Sequence, residues 1–295
     1  MSKLPNEGAP KGILLMDKPV GKTSFQSLGG VKRVYQTKKV GHTGTLDKFA
    51  RGLMIVLVGK YTKLNPLFTG MDKTYEALIR FGSETDTLDP EGEVVCEAPV
   101  PTLNDIEAVL GDFMGKQDQV PPRYSAIHVN GKRAWKMARE GVEVEMKSRP
   151  IRIDQLEILD WNGSELSLKV ACSSGTYIRS LARDIALACG SRAHLRELVR
   201  TRVGEFYLDE AVQVNLESPA PSLLSLKDVL SHLPFSGNLF LDDDQYAMVR
   251  LGVPPERIFS HDPFKEGLSP LFSPSGDFAA LLEKAEGRLK YRFVM

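Results

Sequence analysis

Cysteine is scarce in this chain: Cys96, Cys172 and Cys189 are odd in number, far apart and without a metal-ligand spacing. A disulfide framework and a zinc site are therefore not expected, and a reducing compartment, the cytoplasm, is. Long apolar runs are missing too. The longest, Leu53 to Val58, is far too short to span a bilayer, and the first dozen residues hold no apolar signal region, so neither membrane insertion nor secretion is expected. Net charge is absent as well, with 38 Lys and Arg against 38 Asp and Glu. Taken alone, that balance argues against a nucleic-acid partner. Hydrophobic residues are not lacking: at 42% of 295 residues they suffice for one large domain with a small one.

The charge balance conceals segregation. Residues 1–65 hold twelve cations against Glu7, Asp17 and Asp47, whereas residues 84–118 hold ten acids against Lys116 alone. A second basic run spans Arg123, Lys132, Arg133, Lys136, Arg139, Lys147, Arg149 and Arg152, and a third spans Arg192, Arg196, Arg200 and Arg202. Such grouping can build one basic face on a neutral protein, the electrostatic footprint of a phosphate backbone.

Hydrophobic periodicity gives an α+β reading. Thr23-Ser24 caps a helix with Phe25, Leu28, Val31 and Tyr35 at helical spacing, and Thr102 opens another with Leu103, Ile106, Val109, Leu110, Phe113 and Met114 on one stripe. Strands are expected at about 53–58 and 74–81. Leu166, Leu168, Val170 and Cys172 alternate with polar residues as a half-buried strand, which runs through Ser173 to Thr176 into a helix burying Ile178, Leu181, Ala182, Ile185 and Cys189. Helices and strands do not alternate regularly, so a mixed, largely antiparallel sheet flanked by helices is expected. Prolines at 219, 221 and 234 mark a connecting helix and linker. Beyond it, a short helix near 243–251, a turn at Pro254-Pro255 and a hairpin turn at 273–277 describe a small β-rich unit.

The most informative segment is Gly41-His42-Thr43-Gly44-Thr45-Leu46-Asp47-Lys48-Phe49-Ala50-Arg51-Gly52. Glycines let a backbone approach a ligand closely, threonines can hydrogen-bond it, and Asp47 is a potential nucleophile or base; the same composition also describes an ordinary turn.

Further motifs accompany it in order: Asp17-Lys18-Pro19 with Gly21-Lys22-Thr23-Ser24, Gly59-Lys60, Lys73-Thr74-Tyr75, Thr85 to Asp89 with Gly92, Pro121-Pro122 with Tyr124-Ser125-Ala126, Ser174 to Arg179, and Ala193-His194 followed by Leu198, Arg200 and Thr201. Over roughly residues 12–206 this series resembles the TruB-type tRNA pseudouridine synthases. The resemblance implies the pseudouridine synthase fold over residues 1–235, with an RNA-clamping insert at about 122–150, and a shortened PUA-like RNA-binding unit over 236–295. It implies conversion of the T-loop uridine 55 of tRNA to pseudouridine, with no metal or organic cofactor, no membrane and no obligate protein partner, by a monomer.

By the same resemblance Asp47 is the essential carboxylate, acting as nucleophile or as base at the ribose 2′ position, and Arg179 is its partner. A guanidinium stays charged and offers a planar fork to a carboxylate. Tyr75 packs on the target uracil, with Tyr177 and Leu198 shaping the pocket. His42 enters the space left when the base flips out. Lys18, Arg133, Lys136 and Arg200 are expected to bind RNA. Lys48 departs from the pattern, standing where the family usually has proline; Met54, Ile55, Tyr61 and His128 are further departures. Two other readings stay open, a guide-RNA-dependent dyskerin-type rRNA synthase and a non-catalytic tRNA-binding or folding protein. The latter would not need Asp47, Tyr75 and Arg179 together. A P-loop is excluded, because Gly21-Lys22-Thr23 lacks the earlier glycine and has Met16 in its place.

Overall fold

The run Leu53 to Val58 is apolar without interruption because both of its faces are covered. The computed structural model describes residues 9–129, 131–141, 146–217, 219–259 and 261–295. Part of the expected insert, residues 130 and 142–145, lies outside the described residues.

The centre is a nine-stranded sheet. Its strands are β1 (Gly12–Lys18), β2 (Val40–His42), β3 (Arg51–Val58), β4 (Lys73–Phe81), β5 (Gly115–Gln119), β6 (Arg149–Trp161), β7 (Glu165–Cys172), β8 (Ala193–Val203) and β9 (Phe206–Tyr207). They are ordered β1-β3-β8-β4-β7-β6-β5, with β2 beside β3 and β9 beside β8. The ladders are antiparallel except for the short parallel pairing of β3 with β8. The expected mixed, largely antiparallel sheet is present.

Three helices pack on it: α1 (Ser24–Val34), α2 (Leu103–Leu110) and α3 (Ile178–Ala188). Thr23 and Thr102 each close a capping box, as their spacing to Gln26 and Asp105 implies. Leu28 and Val31 of α1 are buried, but Phe25, expected on the same stripe, is 72% exposed. Three residues before Leu28, it falls beyond the edge of the covered face. Met114, likewise expected inward, is exposed after the chain leaves α2.

Alternation along β3 now explains itself. Met54, Val56 and Val58 join Leu28 and Val31 under α1. Leu53, Ile55 and Leu57 face the other way and share a core with Phe272, Phe278 and Leu281. Those last residues belong to a four-stranded C-terminal sheet, β10 (Leu239–Phe240), β11 (Gly267–Phe272), β12 (Phe278–Ala285) and β13 (Arg288–Val294), in that order. A helix, α4 (Asp243–Arg250), and a short one at Pro255–Ile258 lie in the same region; the latter replaces the expected Pro254-Pro255 turn, since proline is well suited to a helix's first position. The expected connecting segment holds a 3-10 helix at Lys227–His232. No helix among the described residues is long and apolar enough to cross a membrane.

Candidate active site

Asp47 stands on the loop between β2 and β3, and that loop is fastened at several points. The Ser24 hydroxyl donates to the Leu46 carbonyl at 3.0 Å and accepts from the Leu46 amide at 2.8 Å. Leu46 and Phe49 plug into the core formed by β4, β7 and α3, so Asp47 between them is held at its edge. The Gly21 amide donates to the Lys48 carbonyl at 2.9 Å. At the loop's end Gly52 has a φ of +111°, and a Cβ there would meet the Arg200 carbonyl at 2.5 Å, so only glycine fits.

Arg200 is buried at 2% exposure. Its Nε donates to the Leu53 carbonyl at 2.7 Å, and its Nη2 and Nη1 donate to Gly44 and Thr45 at 3.2 and 3.4 Å. Lys18 is fully buried and donates to the Lys22 and Pro19 carbonyls at 2.6 and 2.9 Å. Both side chains were expected on the RNA-facing surface. In the structure both are buried instead, and their cations donate to backbone carbonyls of the segments around Asp47, as a buried charge requires. Burial and the Arg200 charge lower the Lys18 ammonium to a pKa of about 8, against the opposing pull of Asp47.

Arg179 lies in the first turn of α3, where the strand-to-helix junction aims it at Asp47. The junction is clamped by Gln119: the Tyr177 amide donates to its side-chain oxygen at 2.8 Å, and its amide donates to the Tyr177 carbonyl at 3.1 Å. Arg179 is 4% exposed. Its Nη2 donates to Asp47 Oδ1 at 3.1 Å, and its Nε lies 2.9 Å from Asp47 Oδ2 at ion-pair distance but off the hydrogen-bond direction. Nη1 reaches Asp89 Oδ2 at 3.2 Å and the Thr87 carbonyl at 2.9 Å, and Nη2 also donates to the Tyr124 carbonyl at 3.0 Å.

Asp89 is the residue that sequence reasoning missed. It lies in the Thr85 to Gly92 motif, and its side chain is 8% exposed. Leu88 before it takes a φ of +60°, which is costly for a residue with a Cβ. The strain turns the Thr87 carbonyl and Asp89 toward one guanidinium. Its burial, which sets it apart from the other acids of that stretch, is not visible in the sequence; Thr87 Oγ1 donates to Asp89 Oδ1 at 2.7 Å.

The electrostatics are a contest. Burial raises the Asp47 carboxyl above the 3.8 of an ordinary aspartate, Arg179 opposes, the Asp89 charge adds to the rise, and Lys18 opposes it. The Asp47 side chain nonetheless keeps 35% of its surface open to solvent. Tyr75 on β4 is 8% exposed and sits directly across the ladder from Arg200, with Leu198 two residues along β8 in the same core. Burial raises the Tyr75 and Tyr177 phenols. Burial, with the Arg200 charge, lowers the His42 imidazole below its ordinary value, which favours the neutral ring. Among the described residues no group of three His, Cys, Asp or Glu could hold a metal ion.

Arg133 and Lys136 lie apart from this cluster, exposed at the short helix Ala134–Arg139. Lys136 Nζ and the Arg139 guanidinium sit 5.7 and 5.3 Å from the Trp135 ring centre. The insert meets the cluster through the Tyr124 carbonyl, which accepts from Arg179.

Comparison with known proteins gives a consistent picture. Residues 32–178 match the N-terminal domain of the TruB family pseudouridylate synthases, and residues 179–227 match the tRNA pseudouridylate synthase B C-terminal domain. The tRNA pseudouridine synthase B of Borreliella burgdorferi (strain ZS7) is 45% identical over 245 residues, 82% of this chain and 85% of that protein. That of Borrelia garinii subsp. bavariensis is 42% identical over 288 residues, covering 96% and 98%. Among solved structures, a chain of the Cbf5–Nop10–Gar1 complex superposes with a TM-score of 0.69 at 25% identity, over 96% of this chain and 84% of the other. Identity of 45% and 42% to these two synthases over 82% and 96% of the chain, with the two family matches, shows that the chain belongs to the TruB family of pseudouridylate synthases.

Proposed function

We propose that this chain acts alone on tRNA, converting the T-loop uridine 55 to pseudouridine, with Asp47 as the reacting carboxylate. The supporting observation is the Asp47–Arg179–Asp89 cluster: one partly open carboxylate held by a buried guanidinium that a second, buried carboxylate anchors. The names of the curated relatives favour tRNA over a guided rRNA substrate.

The reaction breaks the N1–C1′ bond, turns the uracil and joins C5 to C1′. The C5 proton leaves and N1 gains one, so electrons and atoms balance within the substrate. Asp47 either attacks the substrate or removes the ribose 2′ proton; each route requires it ionised. Arg179 orients the carboxylate and opposes its protonation, Tyr75 packs on the uracil, and Leu198 and Tyr177 line the pocket. Flipping the base costs a few kcal/mol of stacking. The neutral His42 ring can stack where the base was. Arg133 and Lys136 grip the T-arm backbone, while residues 236–295 form a PUA-like unit that binds RNA further away.

The test is to incubate the purified chain with unmodified tRNA transcript and to map pseudouridine by carbodiimide treatment and primer extension. A stop at uridine 55 that disappears with Asp47→Asn is the expected result. A stop elsewhere, or undiminished modification by Asp47→Asn, contradicts the proposal.

A further inference from the structure

The loop carrying Asp47 and the turn carrying Asp89 are joined in a closed ring. Lys48, next to Asp47 in the chain, places its Nζ 2.5 Å from Glu91 Oε1. The Glu91 amide donates to Asp89 Oδ1 at 3.0 Å. Asp89 Oδ2 accepts from Arg179 Nη1 at 3.2 Å, and Arg179 Nη2 closes the circuit on Asp47 Oδ1 at 3.1 Å. The Arg179 and Asp89 side chains are buried, at 5% and 8% exposure. The Lys48–Glu91 link is the solvent-facing one, with side chains 49% and 41% exposed.

We infer that Lys48 and Glu91 are positioning residues that fix the spacing between the Asp47 loop and the Asp89 turn. This rests on Asp47 being the reacting carboxylate. The physical reason lies in Arg179, whose single guanidinium must span two carboxylates on separate segments. If the segments drift apart, the fork cannot hold both, and Asp47, the more open of the two, is the one released. Lys48 Nζ pairs with Glu91, while the ion-pair partner of Asp47 is Arg179, so Lys48 acts through geometry and not as the carboxylate's counter-ion. A half-exposed ion pair contributes little to global stability. Reacting groups are sensitive to small displacements, so a tether of that strength registers in the rate while leaving the melting temperature alone.

The test measures single-turnover rate, RNA dissociation constant and melting temperature on unmodified tRNA transcript. The variants are Lys48→Met, Glu91→Ala, the two combined, Lys48→Arg and Asp47→Asn. Lys48→Met and Glu91→Ala should each slow the reaction about fivefold, a loss well within what a misplaced reacting group can cause. The combined variant should be no slower than either, because one link is being cut twice. Lys48→Arg should keep at least half the rate, and binding and melting should stay at wild-type values in all the Lys48 and Glu91 variants. Unchanged rates in both single variants, or losses that multiply in the combination, overturn the inference. So does weaker RNA binding at an unchanged rate, which would make Lys48 a phosphate contact. Asp47→Asn reports on the underlying reading separately: activity in that variant defeats the reading whatever Lys48 does.

Discussion

Two sets of cations in this chain sit in opposite surroundings. Lys18, Arg179 and Arg200 are buried, and the Arg179 and Arg200 guanidiniums and the Lys18 ammonium point at carbonyls or carboxylates of the fold. Arg133 and Lys136 are exposed, and the pair Lys136 and Arg139 flanks the Trp135 ring. A buried cation cannot change partners without leaving a polar group unpaired in low dielectric, so it holds geometry. An exposed one exchanges water and salt ions for phosphate at small cost, so it supplies affinity. Residue type and local charge density are alike in the two sets; depth separates them.

The comparison breaks most visibly at Asp47. Asp47→Asn keeps the shape and removes both charge and basicity, so the single-turnover rate should fall at least about 10⁴-fold while tRNA binding stays within about tenfold. Rapid-quench assays with filter binding would check both. An equal loss of binding would place Asp47 among the affinity residues instead.

Arg179→Lys comes next. The charge survives but the planar fork does not, and a single ammonium cannot serve Asp47, Asp89 and the Thr87 and Tyr124 carbonyls together. A rate loss of at least about a hundredfold is expected, again with little change in affinity.

The pH profile sharpens the electrostatic part. Burial raises the Asp47 carboxyl above 3.8 and Arg179 pulls it back. On the proposed chemistry the ionised form is the working one, so activity is expected above the raised value and lost as pH falls through it. The acid limb of kcat/KM should therefore turn down above pH 3.8, and Arg179→Gln, which removes the strongest opposing influence, should move it further up. A limb at or below 3.8 would show that Arg179 outweighs burial.

The smallest effects belong to the exposed set. Arg133→Ala and Lys136→Ala should each weaken tRNA binding a few-fold and lower the slope of log Kd against log salt by about one, with the saturated rate unchanged. Titrations at several salt concentrations decide this.

Much of this was legible before any coordinates. The capped helices, the alternating strand Glu165–Cys172 and the junction that aims Arg179 follow from local rules that the fold respects. What was hidden depends on contacts between distant segments. Lys18 and Arg200 read as surface cations because nothing local announces that β1 and β8 will be enclosed. Asp89 was one acid among ten in an acidic stretch, distinguished only by the guanidinium that the fold brings to it from ninety residues away. The small C-terminal unit read as separate, yet Phe272, Phe278 and Leu281 cover the β3 face opposite α1. Its removal would expose the strand on which the Asp47 loop ends, so a truncated chain at residue 235 is expected to lose stability as well as RNA contacts.

The division between buried and exposed cations is tested most directly by the single-turnover rate at saturating enzyme. It is to be measured side by side for wild type, Arg179→Lys and the Arg133→Ala/Lys136→Ala double variant on one unmodified tRNA transcript. The account predicts a rate at least about a hundredfold down for Arg179→Lys and a wild-type rate for the double variant once enzyme saturates the RNA. A wild-type rate for Arg179→Lys, or a double variant that stays slow at saturation, would contradict it.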